Sequence, residues 1–134
     1  MITDFGDVKF RAWDSQRNRW VYFALHEIIL YLDSESSTDD EYAFKQLERV
    51  GRFTGFLDRH RKEIYEDDIL SMPDIPVPET TTKFVVEWES GAFILRKLDD
   101  DRDSVYLMHD YFDLIWFSAE VVGNRFELEE NEQR

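Results

Sequence analysis

Arg52–Leu70 reads RFTGFLDRHRKEIYEDDIL, and the fold turns on how it is parsed. Phe53 and Thr54 suit a strand, because aromatic and β-branched side chains pack well on a pleated surface. Gly55 interrupts that run as a bulge or close-approach glycine does. Asp58-Arg59-His60-Arg61-Lys62 is a polar break long enough for a hairpin turn. Glu63-Ile64-Tyr65 resumes the strand, and Asp67-Asp68 makes a second turn before Ile69-Leu70. Asp68 fits an Asx-type turn, accepting backbone N–H groups ahead of the next strand.

Outward from this stretch, short strands dominate. Val8–Trp13 alternates, with Val8, Phe10 and Ala12 on one face and Lys9, Arg11 and Trp13 on the other. Asp14–Arg19 is a polar turn and Trp20–Phe23 a second strand, giving a first hairpin. His26–Leu32 reads as a third strand. Asp33–Glu41 is a Ser- and acid-rich loop whose end, Thr38-Asp39-Asp40-Glu41, resembles a capping box, so a short helix is favoured at 39–47 over the alternative of a strand, with a strand expected from Arg49. Ser71–Thr82 holds all three prolines, which lack the donor a central ladder needs, and is expected to be an extended loop. Lys83–Glu89 and Ala92–Leu98 alternate around Ser90-Gly91 and predict a hairpin. Val105–Met108 is a short strand. The spacing in Asp110–Phe117 permits a short helix or a buried strand. Glu120–Phe126 is expected as a last strand with a bulge or turn at Gly123-Asn124, followed by a frayed acidic tail, Glu127–Arg134.

Four pieces of the chain, in order, resemble the YopX family of phage and prophage proteins. Arg52–Leu70 is similar to its signature, FTGLKDKNGKEIYEGDIV. Lys9–Asp14, KFRAWD, resembles its amino-terminal motif. Val85–Phe93, VVEWESGAF, resembles its VVEWDNGGF. Glu120–Asn124, EVVGN, resembles its EVIGN. On these motifs Gly55, Asp58, Tyr65, Asp68, Gly91 and Gly123 are the positions expected to be structural. Two departures stand out: His60-Arg61 replaces the family's Asn-Gly turn, and Glu66-Asp67-Asp68 replaces its EGD. The resemblance implies a mainly β fold, a small SH3-like barrel formed by residues 51–134. Residues 1–50 would pack on it as an N-terminal extension of strands, acidic loop and short helix.

Composition bounds the function. At 134 residues, 43% hydrophobic and 16% aromatic, the chain can bury a core. It has no cysteine, so disulfides and thiolate metal sites are excluded. The amino terminus lacks the features of a signal peptide, and the longest mainly apolar run, Trp20–Leu32, is too short for the ~20 residues of a membrane span. No membrane association and a cytoplasmic location are therefore expected. The net charge is −14, concentrated in Asp33–Val50, Asp99–Asp113 and the tail from Leu114. Such a balance disfavours non-specific binding to phosphate backbones. Its first reading is a solubilising surface, and its sharper one a docking surface for a basic partner, or mimicry of nucleic acid.

No nucleophile elbow, phosphate loop or dinucleotide fingerprint is present, and His26, His60 and His109 do not share metal spacing. The acid cluster Asp99-Asp100-Asp101-Arg102-Asp103 lacks the glycine and closing glutamate of a calcium loop. No enzyme, cofactor or metal is expected. A non-enzymatic protein-interaction module, binding another protein or itself, is the favoured function. A nucleic-acid-associated accessory protein or acidic mimic is the alternative. Arg11, Trp13, Arg59, Arg61 and Trp88 are the candidate interaction surface. Trp13, Trp20, Trp88 and Trp116 are each more expected in the core than at a contact surface, with Trp13 the first exception, because it lies on the charged face of its strand, and Trp88 the next.

Overall fold

The computed structural model describes residues 9–14, 17–24, 50–74, 77 and 79–132. The expected third strand at 26–32, the acidic loop at 33–41, the helix at 39–47, Pro76 and Pro78 lie outside these. The described chain is mainly β, with two short helices. It divides into two compact units, Met1–Phe53 and Thr54–Arg134.

The first unit holds strands β1 (Lys9–Asp14) and β2 (Arg19–Ala24) and the start of β3 (Val50–Leu57). β1 lies centrally, antiparallel to both neighbours, with Phe10 opposite Phe23 and Arg52. Phe10, Val21 and Val50 pack on buried Ala12 and Phe23. The other face of β1 is covered too. Trp13 is 1% exposed, edge-on to Trp20, and the buried Arg11 guanidinium lies 3.6 Å from the centre of the Trp20 ring. The expectation of an exposed Trp13 is thus corrected. Alternation marks a solvated face only where one side of a strand is open, and here neither is.

In the second unit β3 continues past Thr54 and turns into β4 (Glu63–Tyr65). A five-stranded antiparallel sheet follows, in the order β8-β7-β6-β5-β9. Its members are β5 (Asp68–Pro73), β6 (Thr81–Glu89), β7 (Ala92–Lys97), β8 (Val105–Leu107) and β9 (Glu120–Asn124). A 3-10 turn (Met108–Tyr111) and helix α1 (Phe112–Ser118) precede β9, and helix α2 (Arg125–Glu132) follows it. Leu70, Met72, Val86 and Leu95 on one sheet face form a core with Ile64, Met108, Ile115 and Ala119.

Two expectations are revised. Ser71–Thr82 is not an extended linker: Ser71–Pro73 completes β5 and pairs with Thr81–Lys83. Pro73 is tolerated because it ends its strand. Arg125–Glu132 is not a continued strand and frayed tail but α2. Asn124 explains this, because its Oδ1 accepts the Glu127 N–H at 3.0 Å and so caps the helix. Of the two readings left open for Asp110–Phe117, the helical one holds. The irregularity expected near Gly123 is a register shift: Ile69 faces Gly123 but Leu70 faces Val121, leaving Val122 as the extra residue.

The β6–β7 hairpin closes with Glu89 opposite Ala92. Ser90 (φ 52°) and Gly91 (φ 86°) are both left-handed, as a type I′ turn requires. Asn tolerates that first position better than Ser. Ser90→Asn is expected to raise stability by ~0.5 kcal/mol, read from the urea midpoint at unchanged slope.

Candidate functional site

Two turns brace the second unit. The β3–β4 turn, Asp58–Lys62, rests on the junction of α1 and β9. The Asp58 carboxylate is 1% exposed. Its Oδ1 accepts the N–H groups of His60 (2.8 Å) and Lys62 (2.9 Å), and its Oδ2 accepts that of Val121 (3.0 Å), 63 residues away. The Arg59 N–H donates to the Ala119 carbonyl at 2.8 Å, and the Arg59 guanidinium to Glu120 at 3.0 Å. Arg61 has φ 65°, a conformation that costs an arginine about 1 kcal/mol. Its guanidinium compensates: it lies 3.7 Å from the Trp116 ring centre and donates to the Trp116 carbonyl at 3.0 Å. That carbonyl is in the last turn of α1, where acceptors lack helical donors and a cation is favoured.

The second turn, Glu66-Asp67, places Asp67 at φ 74°. Its N–H donates to the Val86 carbonyl and its carbonyl accepts the Arg125 N–H, both at 2.8 Å. Buried Asp68 accepts the Tyr65 N–H at 2.9 Å. Arg61 and Asp67 thus stand in left-handed conformations where the family signature has glycine. The departures keep the backbone shape.

Among the sequence-derived surface candidates, Arg11 and Trp13 are buried in the first unit and leave the list as a correction. Arg59 and Arg61 are exposed, but their guanidinium groups serve the turn just described. Trp88 is exposed, with its ring edge-on to Phe93 at 4.7 Å between centres. The cleft beside it is lined by Glu66, Asp67, Glu87, Glu89, Arg96 and Arg125. There Arg96 pairs with Glu87, Glu89 and Asp103, and Arg125 with Glu87 and Asp67. Hydrogen bonds to Glu87 and then Asp103 hold the Arg96 guanidinium firmly protonated. Gly55 (φ 85°) lies within β3.

A different region offers an open apolar surface. A groove of about 280 Å³ is lined by Met72, Pro73, Asp74, Phe84, Leu95, Tyr106, Tyr111 and Leu114. Met72 and Leu95 are its buried floor, and the part-exposed tyrosines form its rim. Phe84, Tyr106 and Tyr111 make an edge-to-face chain with ring centres 5.9 and 5.8 Å apart. Elsewhere in the unit, Val105 and Leu107 of β8 and Phe112 and Phe117 of α1 are exposed. The volume lies just below the ~300–1,000 Å³ typical of small-ligand pockets, which suits one or two side chains better than a cofactor.

The groove's one charge is committed. The Asp74 carboxylate accepts the hydroxyl of Thr80 at 2.6 Å and that of Thr82. These two hydrogen bonds, Thr80 first, hold its carboxyl below the usual range. Sequence reasoning missed the groove because antiparallel pairing assembles it. Leu95 meets Tyr106 only across β7–β8, and Phe84 meets Leu70 only across β5–β6.

Among the described residues, no three His, Cys, Asp or Glu side chains are placed to hold a metal. Asp100 of the acid cluster accepts the N–H groups of Arg102 and Ser104, so its carboxylate orders the loop. No helix among the described residues is long and apolar enough to cross a membrane.

These features define a mainly β chain with tightly braced turns and an apolar groove. The YopX protein family model matches residues 9–130, and the chain belongs to that family. No curated protein is similar enough to count as a match.

Two outcomes follow from the braced carboxylates. Asp58→Ala leaves three backbone N–H groups without their acceptor and is expected to cost about 3 kcal/mol or more by urea unfolding. Asp74 sets an acid limb. Its folded pKa lies below the ordinary value of about 3.8, so its contribution to stability is full above that value. The contribution is lost as pH falls through the folded pKa. The stability difference between wild type and Asp74→Asn is therefore expected to shrink on acidification below about pH 4, measured as urea midpoints over a pH series.

Proposed function

We propose that the chain is a non-enzymatic protein-interaction module of phage or prophage origin that works inside the cell. The apolar groove and its tyrosine rim carry this reading. Exposed, contiguous aromatic surface next to a preformed concavity is the usual form of a docking site, where tyrosines supply contact area at low entropic cost. An SH3-like barrel, as the family resemblance implies, would present such a groove from a rigid scaffold. The argument against catalysis is chemical: the groove's single carboxylate is held ionised by two threonines, which makes it a poor proton acceptor near neutral pH. Direct nucleic-acid binding is disfavoured because Arg59 and Arg61 are engaged within the turn and the net charge is −14.

The test is a paired pull-down from bacterial lysate, nuclease-treated and washed across a salt series, with wild type and a Tyr106→Ala/Tyr111→Ala variant as baits. A discrete protein retained by wild type and lost with the variant is expected. Recovery of nucleic acid alone, falling steeply with salt, or of proteins indifferent to the two tyrosines, would overturn the reading.

A further inference from the structure

The docking reading leaves open what the groove takes, and the strand beside it supplies an answer. Among the described residues β8 is an outer strand of the five-stranded sheet, and all three of its residues are exposed. The ladder to β7 fixes which way its backbone points. The Lys97 N–H donates to the Ser104 carbonyl at 3.0 Å. Two residues on, Leu95 and Tyr106 are the next directly opposed pair of the same kind. In an antiparallel ladder, hydrogen-bonded pairs alternate with non-bonded ones. Tyr106 therefore points its N–H and C=O inward to β7, whereas Val105 points both of its groups outward and Leu107 its N–H, the Leu107 carbonyl opening the 3-10 turn that follows. Those outward groups are what an added strand pairs with.

Side-chain alternation then joins this edge to the groove. Tyr106 faces the groove side of the sheet with Leu95, while Val105 and Leu107 face the other side with Arg96 and Ile94. A strand laid along β8 puts every second side chain beside Tyr106, at the mouth of a cavity sized for one large apolar side chain. The charge around the edge selects the remainder. Asp99–Asp113, which brackets β8, carries six acids and one Lys or Arg, a net −5. Asp101 and Asp103 before the strand, and Asp110 and Asp113 after it, are exposed.

We infer that β8 captures an extended, Lys- or Arg-rich segment of a partner protein, which adds to the sheet edge and seats one apolar side chain in the groove rimmed by Tyr106 and Tyr111. This rests on the docking reading and goes beyond it in naming the bound conformation and charge. Backbone pairing supplies affinity, the groove chooses the anchor, and the flanking acids choose cationic segments over anionic ones and speed their encounter.

Leu107→Pro separates the parts. Leu107 has φ −70°, which proline adopts without strain, and its N–H points away from the ladder. The substitution removes an outward donor and leaves the groove and fold intact, checked by an unchanged melting temperature. A displayed library of random linear peptides, panned on the full chain and counter-selected on Tyr106→Glu, supplies the probes. Enriched peptides are expected to show an apolar anchor with Lys or Arg at neighbouring positions. Their affinity should fall at least about tenfold on Leu107→Pro and decline with salt. Enriched peptides that are neutral or acidic, or that bind Leu107→Pro as well as wild type, would overturn the inference while sparing the docking groove. If no enriched peptide depends on Tyr106, both readings fall.

Discussion

Much of the second unit depends on a single buried carboxylate. Asp58 holds its own turn closed through the His60 and Lys62 N–H groups and ties that turn to β9 through Val121. Three N–H donors on one ionised acceptor are charge-assisted bonds, each stronger than the ~1 kcal/mol of a neutral one. They also cross 63 residues of chain, so the carboxylate joins the first hairpin of the unit to its last strand. The core between them, Ile64 and Leu70 against Ile115 and Ala119, is packed by segments that this contact holds in register. Arg61 completes the brace from outside. It accepts an unfavourable backbone conformation, and in exchange its guanidinium covers the Trp116 ring and the last turn of α1.

That exchange explains how a signature can lose its glycines and keep its shape. A left-handed position costs a non-glycine residue of order 1 kcal/mol, which glycine avoids. Arg61 offsets the cost with a stacking contact and a hydrogen bond to a helix carbonyl. Asp67 does so with a carboxylate 3.6 Å from the Arg125 guanidinium, added to backbone bonds that glycine would also make. In both cases the replacement side chain acts on a neighbouring helix, which glycine cannot do. The turns therefore anchor the helices as well as reversing the chain.

What was legible in the sequence follows the same physics. The β6–β7 hairpin was readable because a period of two and a Ser-Gly turn are both local signals. The brace around Asp58 was readable only as a turn, since its partner Val121 is distant in the chain. Trp13 was misplaced because alternation says nothing about a strand covered on both faces. The helix after Asn124 was missed because Val121 and Val122 carry a strand pattern right up to it. The signal that was available is Asn124 three residues before Glu127, a capping arrangement rather than a periodicity. The groove had no local signal, since its floor and rim meet only through pairing of β5 through β8.

The uneven charge also acquires a structural reason. An outer strand with Val105, Tyr106 and Leu107 all exposed invites pairing with any free strand, including another copy of itself. Two copies meeting edge to edge through β8 would bring two segments of net −5 together, and like charges in close opposition are unfavourable. The shortness of β8, three residues, limits the pairing further. On the docking reading, the acids that bracket β8 would oppose that self-pairing and favour a strand of opposite sign. They would make an otherwise adhesive edge selective, as the proposed docking strand requires.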